Sequence, residues 1–193
     1  RAPAIRPLPP MGQWVNVRTL GAVGDGKADD TAALQKAIDA NRILYFPTGF
    51  YKVTDKLTLR PDSILIGLHP AITQLFIPDN NPKHAGLGAV LPILESRKGG
   101  DNILSGLGLF TGRVNPRASA LLWRSGEQSL VEDVKIMGGG GTPTADGKML
   151  GTLRVNTGDP VTDSRLDAQY PSIWVTDGGG GTFADVWSPN SFA

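Results

Sequence analysis

The residues able to do chemistry are few in kind. The 193-residue sequence has no cysteine and only two histidines, His69 and His84. That excludes disulfides, thiolate nucleophiles, cysteine-ligated zinc and any multi-histidine metal centre. Reaction chemistry therefore falls to carboxylates, hydroxyls, lysine, arginine and aromatic rings. The acidic segment 158–167 places Asp159, Asp163 and Asp167 beside Arg165 and reads as a loop leaving the body of the fold. Asp177 stands between an apolar run, 173–175, and a glycine run, 178–181. Glycines there would let a ligand approach the backbone closely. Asp163 and Asp177 are the candidate pair for general acid/base work. The glycine runs 138–141 and 178–181 are not phosphate loops, because no Gly-Lys-Ser/Thr follows either of them. A calcium loop counted from Asp25 fails, since its twelfth position is Lys36, not glutamate.

The elements that must position these groups are mostly short strands. Hydrophobic residues are 40% of the chain, enough for a core, and 25 glycines with 15 prolines imply many turns. The formal net charge of +1 offers no field for a nucleic-acid backbone. No apolar run approaches the ~18 residues of a membrane span. Residues 1–13 hold Pro3, Pro7, Pro9 and Pro10 and read as a linker, or an arm strapped across a surface. The first residue is Arg1, so the chain reads as processed or excised. Thr31 to about Ala40 is the one convincing helix, with Leu34, Ala37 and Ile38 on one face. Asp29 and Asp30 suit its N-terminus, where carboxylates meet free amide hydrogens and the positive end of the dipole. From Ile43 onward helical periodicity gives way to short apolar runs separated by turn residues.

An internal repeat organises those runs. Residues 120–134 lie over 172–186 at an offset of 52, matching Gly126 with Gly178, Asp133 with Asp185 and Val134 with Val186. Residues 104–107 lie over 131–134 at an offset of 27. Reading 52 as two units of about 26 predicts a β-solenoid of about six coils over residues 43–193. An ordinary β-sandwich is the alternative. In the solenoid, Asp133 and Asp185 occupy a repeated, stacked structural position. Trp123 and Trp174 fall in strand cores and are expected inside, while Trp187 is the better aromatic platform.

Residues 17–67 carry a more specific pattern. Val17-Arg18-Thr19-Leu20-Gly21-Ala22-Val23-Gly24-Asp25-Gly26 is followed by Asp29-Asp30-Thr31, Gln35 and Ile38. Then come residues 44–51, Leu-Tyr-Phe-Pro-Thr-Gly-Phe-Tyr, and Leu65-Ile66-Gly67. This resembles the opening of the pectate-lyase-like single-stranded right-handed β-helix superfamily, close to pectate lyase superfamily 3 and the β-1,3-glucanases of glycoside hydrolase family 55. The resemblance implies an all-β parallel β-helix with an N-terminal capping α-helix: cap at 14–42, coils at 43–193 and an open C-terminal end. On this reading Asp25, Asp29 and Asp30 build the cap and do no chemistry. The chain is then expected to be a segment of a longer β-helix, with the rest of its polypeptide or another chain packed on the open end.

The resemblance also implies a polysaccharide substrate and an extracellular or periplasmic location. Glycoside hydrolysis by a carboxylate pair comes first, with Asp163 and Asp177 catalytic. Asp159, Asp167, Arg165 and Trp187 would then hold the sugar, with no cofactor. A polysaccharide lyase is the alternative. It would abstract a proton beside a uronate carboxylate, and it would call for calcium or for cations such as Arg113, Arg117 and Arg124. A non-catalytic glycan-binding or scaffold segment, as in a tail spike, is the third reading. No nucleic-acid or membrane partner is expected.

Overall fold

A coil that stacks on others leaves two ends of its apolar core open, and the first element of this chain closes one of them. The computed structural model describes residues 5–86, 88–112, 115, 117–138, 142–143, 149–150 and 171–188. The cap comprises β1 (Val15–Asn16), β2 (Asp25–Asp29) and α1 (Thr31–Ala40). Leu34, Ala37 and Ile38 of α1 are buried with Val17 and Ala22 over the start of the core. The Gln35 side chain mimics a strand edge: its Nε2 donates to Thr58 O at 3.0 Å, and its Oε1 accepts from Thr58 N at 2.8 Å. The first coil's open edge is thereby covered.

The aspartates of the motif are structural, as the resemblance implies, but they divide the work unexpectedly. Asp29 accepts from the Thr31 amide at 3.0 Å and the Thr54 hydroxyl at 2.6 Å. Partial burial pushes its carboxyl up, and hydrogen bonds from Thr31 and Thr54 more than offset this, leaving it below the ordinary carboxylate value. Asp30 caps nothing on the helix. Its buried carboxylate accepts from the Val23 and Gly24 amides at 2.7 and 2.9 Å, tying the preceding turn to the helix start. Asp25 accepts from the Ala28 and Lys27 amides, which lower its carboxyl.

Coil 1 runs through β3 (Ile43–Phe46), β4 (Gly49–Lys52) and β5 (Leu57–Thr58). Coil 2 runs through β6 (Ile64–Gly67), β7 (Thr73–Phe76) and β8 (Leu91–Glu95), and coil 3 through β9 (Ile103–Ser105), β10 (Gly108–Phe110) and β11 (Ala118–Trp123). Coil 4 starts with β12 (Leu130–Met137). A hairpin of β13 (Thr142–Pro143) and β14 (Met149–Leu150) follows, and the coil returns at β15 (Ile173–Val175). Coil 5 begins with β16 (Thr182–Trp187). Successive coils pair in parallel and build three walls. The first is β1-β3-β6-β9 and the start of β12, the second β2-β4-β7-β10 and the end of β12, and the third β5-β8-β11-β15. β16 lies along β12 across both of the first two walls.

Register stacks like on like. Leu44, Leu65, Leu104, Val131 and Phe183 form one inward column. Tyr51, Leu75, Leu109 and Ile136 form a second, and Leu57, Leu94, Leu121 and Ile173 a third. Each fully buried leucine contributes about 1.5–3 kcal/mol. The 52-residue offset is one coil, not two. Leu130 pairs directly with Thr182 and Leu121 with Ile173, so coil 4 owes its length to the chain between Met137 and Ile173. Among the described residues the solenoid therefore comprises four coils and the first strand of a fifth, where two units of 26 had implied about six. At that end the inward-facing Val175 and Phe183 are 46% and 38% exposed.

Residues 5–13 lie along the outer face of the first wall. Leu8 and Trp14 pack on outward-facing Ile43, Ile64, Ile66, Ile103 and Leu130. Arg6 pairs with Asp101 and donates to Gln128 O.

His84, read from sequence as an ordinary loop residue, is fully buried. Its Nδ1 meets Asn81 Nδ2 at 2.6 Å, and its Nε2 has no hydrogen-bond partner. Burial lowers its pKa to about 4, against the upward pull of Asp55. The unfolded chain, with a histidine near 6.5, binds more protons between pH 6.5 and 4. Stability is therefore full above about pH 6.5 and falls as the pH drops towards 4, by up to about 3 kcal/mol. Urea midpoints measured from pH 7 to 4.5 should decline, and His84→Gln should flatten that slope. The lowered carboxyls of Asp25, Asp29 and Asp55 act mainly below this window.

Candidate functional site

The corner between the first and second walls turns at one stacked position in each coil. Gly67, Gly106, Asp133 and Asp185 follow the in-register residues Ile66, Ser105, Glu132 and Ala184. Gly106, Asp133 and Asp185 have φ of 69°, 47° and 50°. Glycine takes this left-handed conformation freely, and aspartate is one of the few other residues that visit it. The repeat matching Asp133 to Asp185 is thus a stacked corner position, as expected. Both side chains are also exposed, and here sequence reasoning missed their second property: they line a groove.

That groove has a volume of about 280 Å³ and is lined by His69, Pro70, Ala71, Asp133, Lys135, Asp185 and Trp187, with Val134 beneath. One bank is the loop between β6 and β7, the other the outward side chains of coils 4 and 5. Between them coil 3 has glycine at Gly106 and Gly108, and Leu107 turns into the core. The loop settles against Gly108 so closely that a Cβ there would stand 2.3 Å from Pro70 O. Lys135 and Trp187 are register partners, and the ammonium sits 4.2 Å from the ring centroid. Burial pulls the Lys135 ammonium below its ordinary pKa. Trp187 remains 50% exposed. The His69 ring is held by the Ala71 amide, which donates to Nδ1 at 3.1 Å.

The structure places Asp177 elsewhere. It sits beyond β15 at the end of the third wall, also with positive φ, and its Oδ2 is 3.5 Å from Arg124 Nε. Arg124 also pairs with Glu95, whose other oxygen accepts from Lys56 Nζ at 2.5 Å. Asp177 and Trp187 therefore lie on different walls and do not share a site. Asp159, Asp163, Arg165 and Asp167 lie outside the described residues, as does Arg113. Arg117 is spent on the backbone, donating to Ala89 O and Lys83 O. Trp123 is buried, donating to Gly180 O at 2.9 Å. Trp174 is not inside. The register sets it against Leu122 and sets Val175 against Trp123, so alternation turns Trp174 outward, 38% exposed. Among the described residues no three His, Asp or Glu side chains are grouped to hold a metal ion, and no helix is long and apolar enough to cross a membrane.

Residues 14–77, the cap and the first two coils, match the family described as rhamnogalacturonase A/epimerase, pectate-lyase-like. The A-module of mannuronan C-5 epimerase AlgE4 from Azotobacter vinelandii superposes with a TM-score of 0.52 at 25% identity, over 64% of this chain and 38% of that one. The opening third of the chain thus carries a pectate-lyase-like pattern, on a parallel β-helix fold. A glucan 1,3-beta-glucosidase of Cochliobolus carbonum is 40% identical over 58 residues, 28% of this chain and 7% of that protein. A pre-neck appendage protein of Bacillus phage B103 is 31% identical over 102 residues, 52% of this chain and 10% of that protein. The chain thus spans about a tenth or less of the length of these two relatives.

Proposed function

We propose that this β-helix protein is carbohydrate-active, that it holds a neutral polysaccharide in the groove beside Trp187, and that it hydrolyses it with Asp133 and Asp185 as the carboxylate pair. The carrying observation is the composition of the groove. An exposed indole offers a face on which a pyranose can stack, and two carboxylates one coil apart stand next to it. Coils are spaced ~4.8 Å, and retaining glycosidases separate their two carboxyls by ~5–5.5 Å. The groove offers two carboxylates against one ammonium, and that ammonium is engaged with the Trp187 ring. A uronate polymer would meet net negative charge there, which argues against the lyase alternative. The β-1,3-glucosidase relative supports a β-1,3-glucan as the substrate to try first.

Binding and reducing-sugar release should be measured on a neutral β-1,3-glucan and on alginate or polygalacturonate, with and without calcium. The expected result is binding and hydrolysis of the glucan alone, with affinity reduced at least tenfold in Trp187→Ala. Calcium-dependent cleavage of a uronate polymer would sink this reading. So would tight glucan binding unaffected by Trp187→Ala.

A further inference from the structure

A second surface has the makings of a sugar site and shares no residue with the groove. On the outer face of the third wall, Thr58, Glu95, Leu122 and Trp174 form one column across coils 1 to 4. Trp174 is the exposed end of that column. Arg124, two residues beyond Leu122, projects from the same face. Glu95 is mostly buried and holds Lys56 on one oxygen and Arg124 on the other. Arg124 in turn approaches Asp177, whose carboxylate is more than half exposed. Two cations and two anions are thus threaded into one chain, Lys56–Glu95–Arg124–Asp177, whose last member is three residues from Trp174 in sequence.

We infer that Trp174, with Asp177 and Arg124, is a second binding site for a neutral glycan. This rests on the carbohydrate reading above, though not on the groove. A flat ring against an indole buries the apolar face of a pyranose, and the hydroxyls around its rim need both donors and acceptors. The ion-pair chain supplies both. Asp177 accepts, Arg124 donates, and their mutual pairing cancels the charge that would otherwise select an ionic ligand. The chain is also fixed in place. Glu95 is held at both oxygens, and Asp177 is set by a left-handed backbone turn, φ 54°, followed by Gly178 at 76°. Pre-positioned groups of this kind lose little freedom on binding. A polymer engaged at Trp174 as well as at Trp187 would be retained far more strongly than by either site alone.

The test uses insoluble β-1,3-glucan particles and a soluble β-1,3-gluco-oligosaccharide with the whole chain. Calorimetry on the oligosaccharide should show two sites in the unaltered protein, one in Trp174→Ala, one in Trp187→Ala and none in the double variant. Particle affinity should fall at least tenfold in Trp174→Ala and be restored in Trp174→Phe, which keeps a ring. A Trp174→Ala protein that keeps both sites, or a phenylalanine no better than alanine, would overturn the second site alone. Absence of neutral-glycan binding in the unaltered protein would overturn this site and the groove together.

Discussion

Replacing Asp133 or Asp185 with asparagine should lower β-1,3-glucan hydrolysis by about 10²-fold or more, the usual contribution of a positioned acid or base. The substitution is chosen for what it leaves alone. Both residues hold left-handed backbone, φ 47° and 50°, and asparagine visits that region as readily as aspartate. Neither side chain is buried, so no core contact is lost, and the urea midpoint should move by less than about 0.5 kcal/mol. Groups that act as one unit are non-additive, so the double variant should be little slower than the worse single one. Glucan binding should survive, because Trp187 and the His69–Ala71 bank remain. Initial rates at saturating glucan, set against a binding isotherm, separate the two effects. Full activity in both single variants would remove the pair from the chemistry. A loss confined to Asp163 or Asp177 variants would move the reaction to the carboxylates that the sequence first suggested.

What could be read in advance follows the range over which each constraint acts. The helix and its apolar face are local and periodic, and α1 occupies Thr31–Ala40 with Leu34, Ala37 and Ile38 buried. Coil stacking is long-range, yet it leaves a trace because register forces like residues into columns. The 52-residue offset reproduced the pairing of β11 with β15 and of β12 with β16 residue for residue. The same offset carried the facing of Trp174, since it aligns Trp174 with Leu122 and not with Trp123. Matching tryptophan to tryptophan shifts the strand by one and reverses every side chain. The number of coils was hidden, because a coil with an excursion has the same length as two plain ones. The groove was hidden too. Its banks are residues 69–71 on one side and residues 133–135 with Asp185 and Trp187 on the other, and only the pairing of β7 with β10 and of β10 with β12 makes them neighbours. The clue that was present was the column itself: glycine, glycine, aspartate, aspartate at one corner. A turn needs only glycine there, so the two aspartates are the departure that needed explaining.

That departure yields the second large effect, one with opposite signs at neighbouring coils. At Gly67 and Gly106 the backbones touch. A Cβ on Gly106 would lie 2.3 Å from Gly67 O, and one on Gly67 would lie 2.2 Å from Gly106 O. Gly106→Ala adds left-handed strain of about 1–2 kcal/mol to overpacking of about 1–3 kcal/mol. A loss of about 2–5 kcal/mol is expected, enough to unfold a protein of ordinary stability. One and two coils further on, the same corner holds aspartate, and glycine there removes strain. Asp133→Gly and Asp185→Gly should therefore leave stability unchanged or raise it by up to about 1 kcal/mol, after allowing for glycine's extra freedom in the unfolded chain. In the same variants glucan hydrolysis should fall as far as in the asparagine variants. Residues kept only for the turn would show the reverse, with stability lost and activity kept. Urea denaturation of the three glycine-corner variants, with rates on the same preparations, distinguishes the cases. Stability kept and hydrolysis lost in Asp133→Gly and Asp185→Gly would assign these carboxylates to the groove and not to the turn.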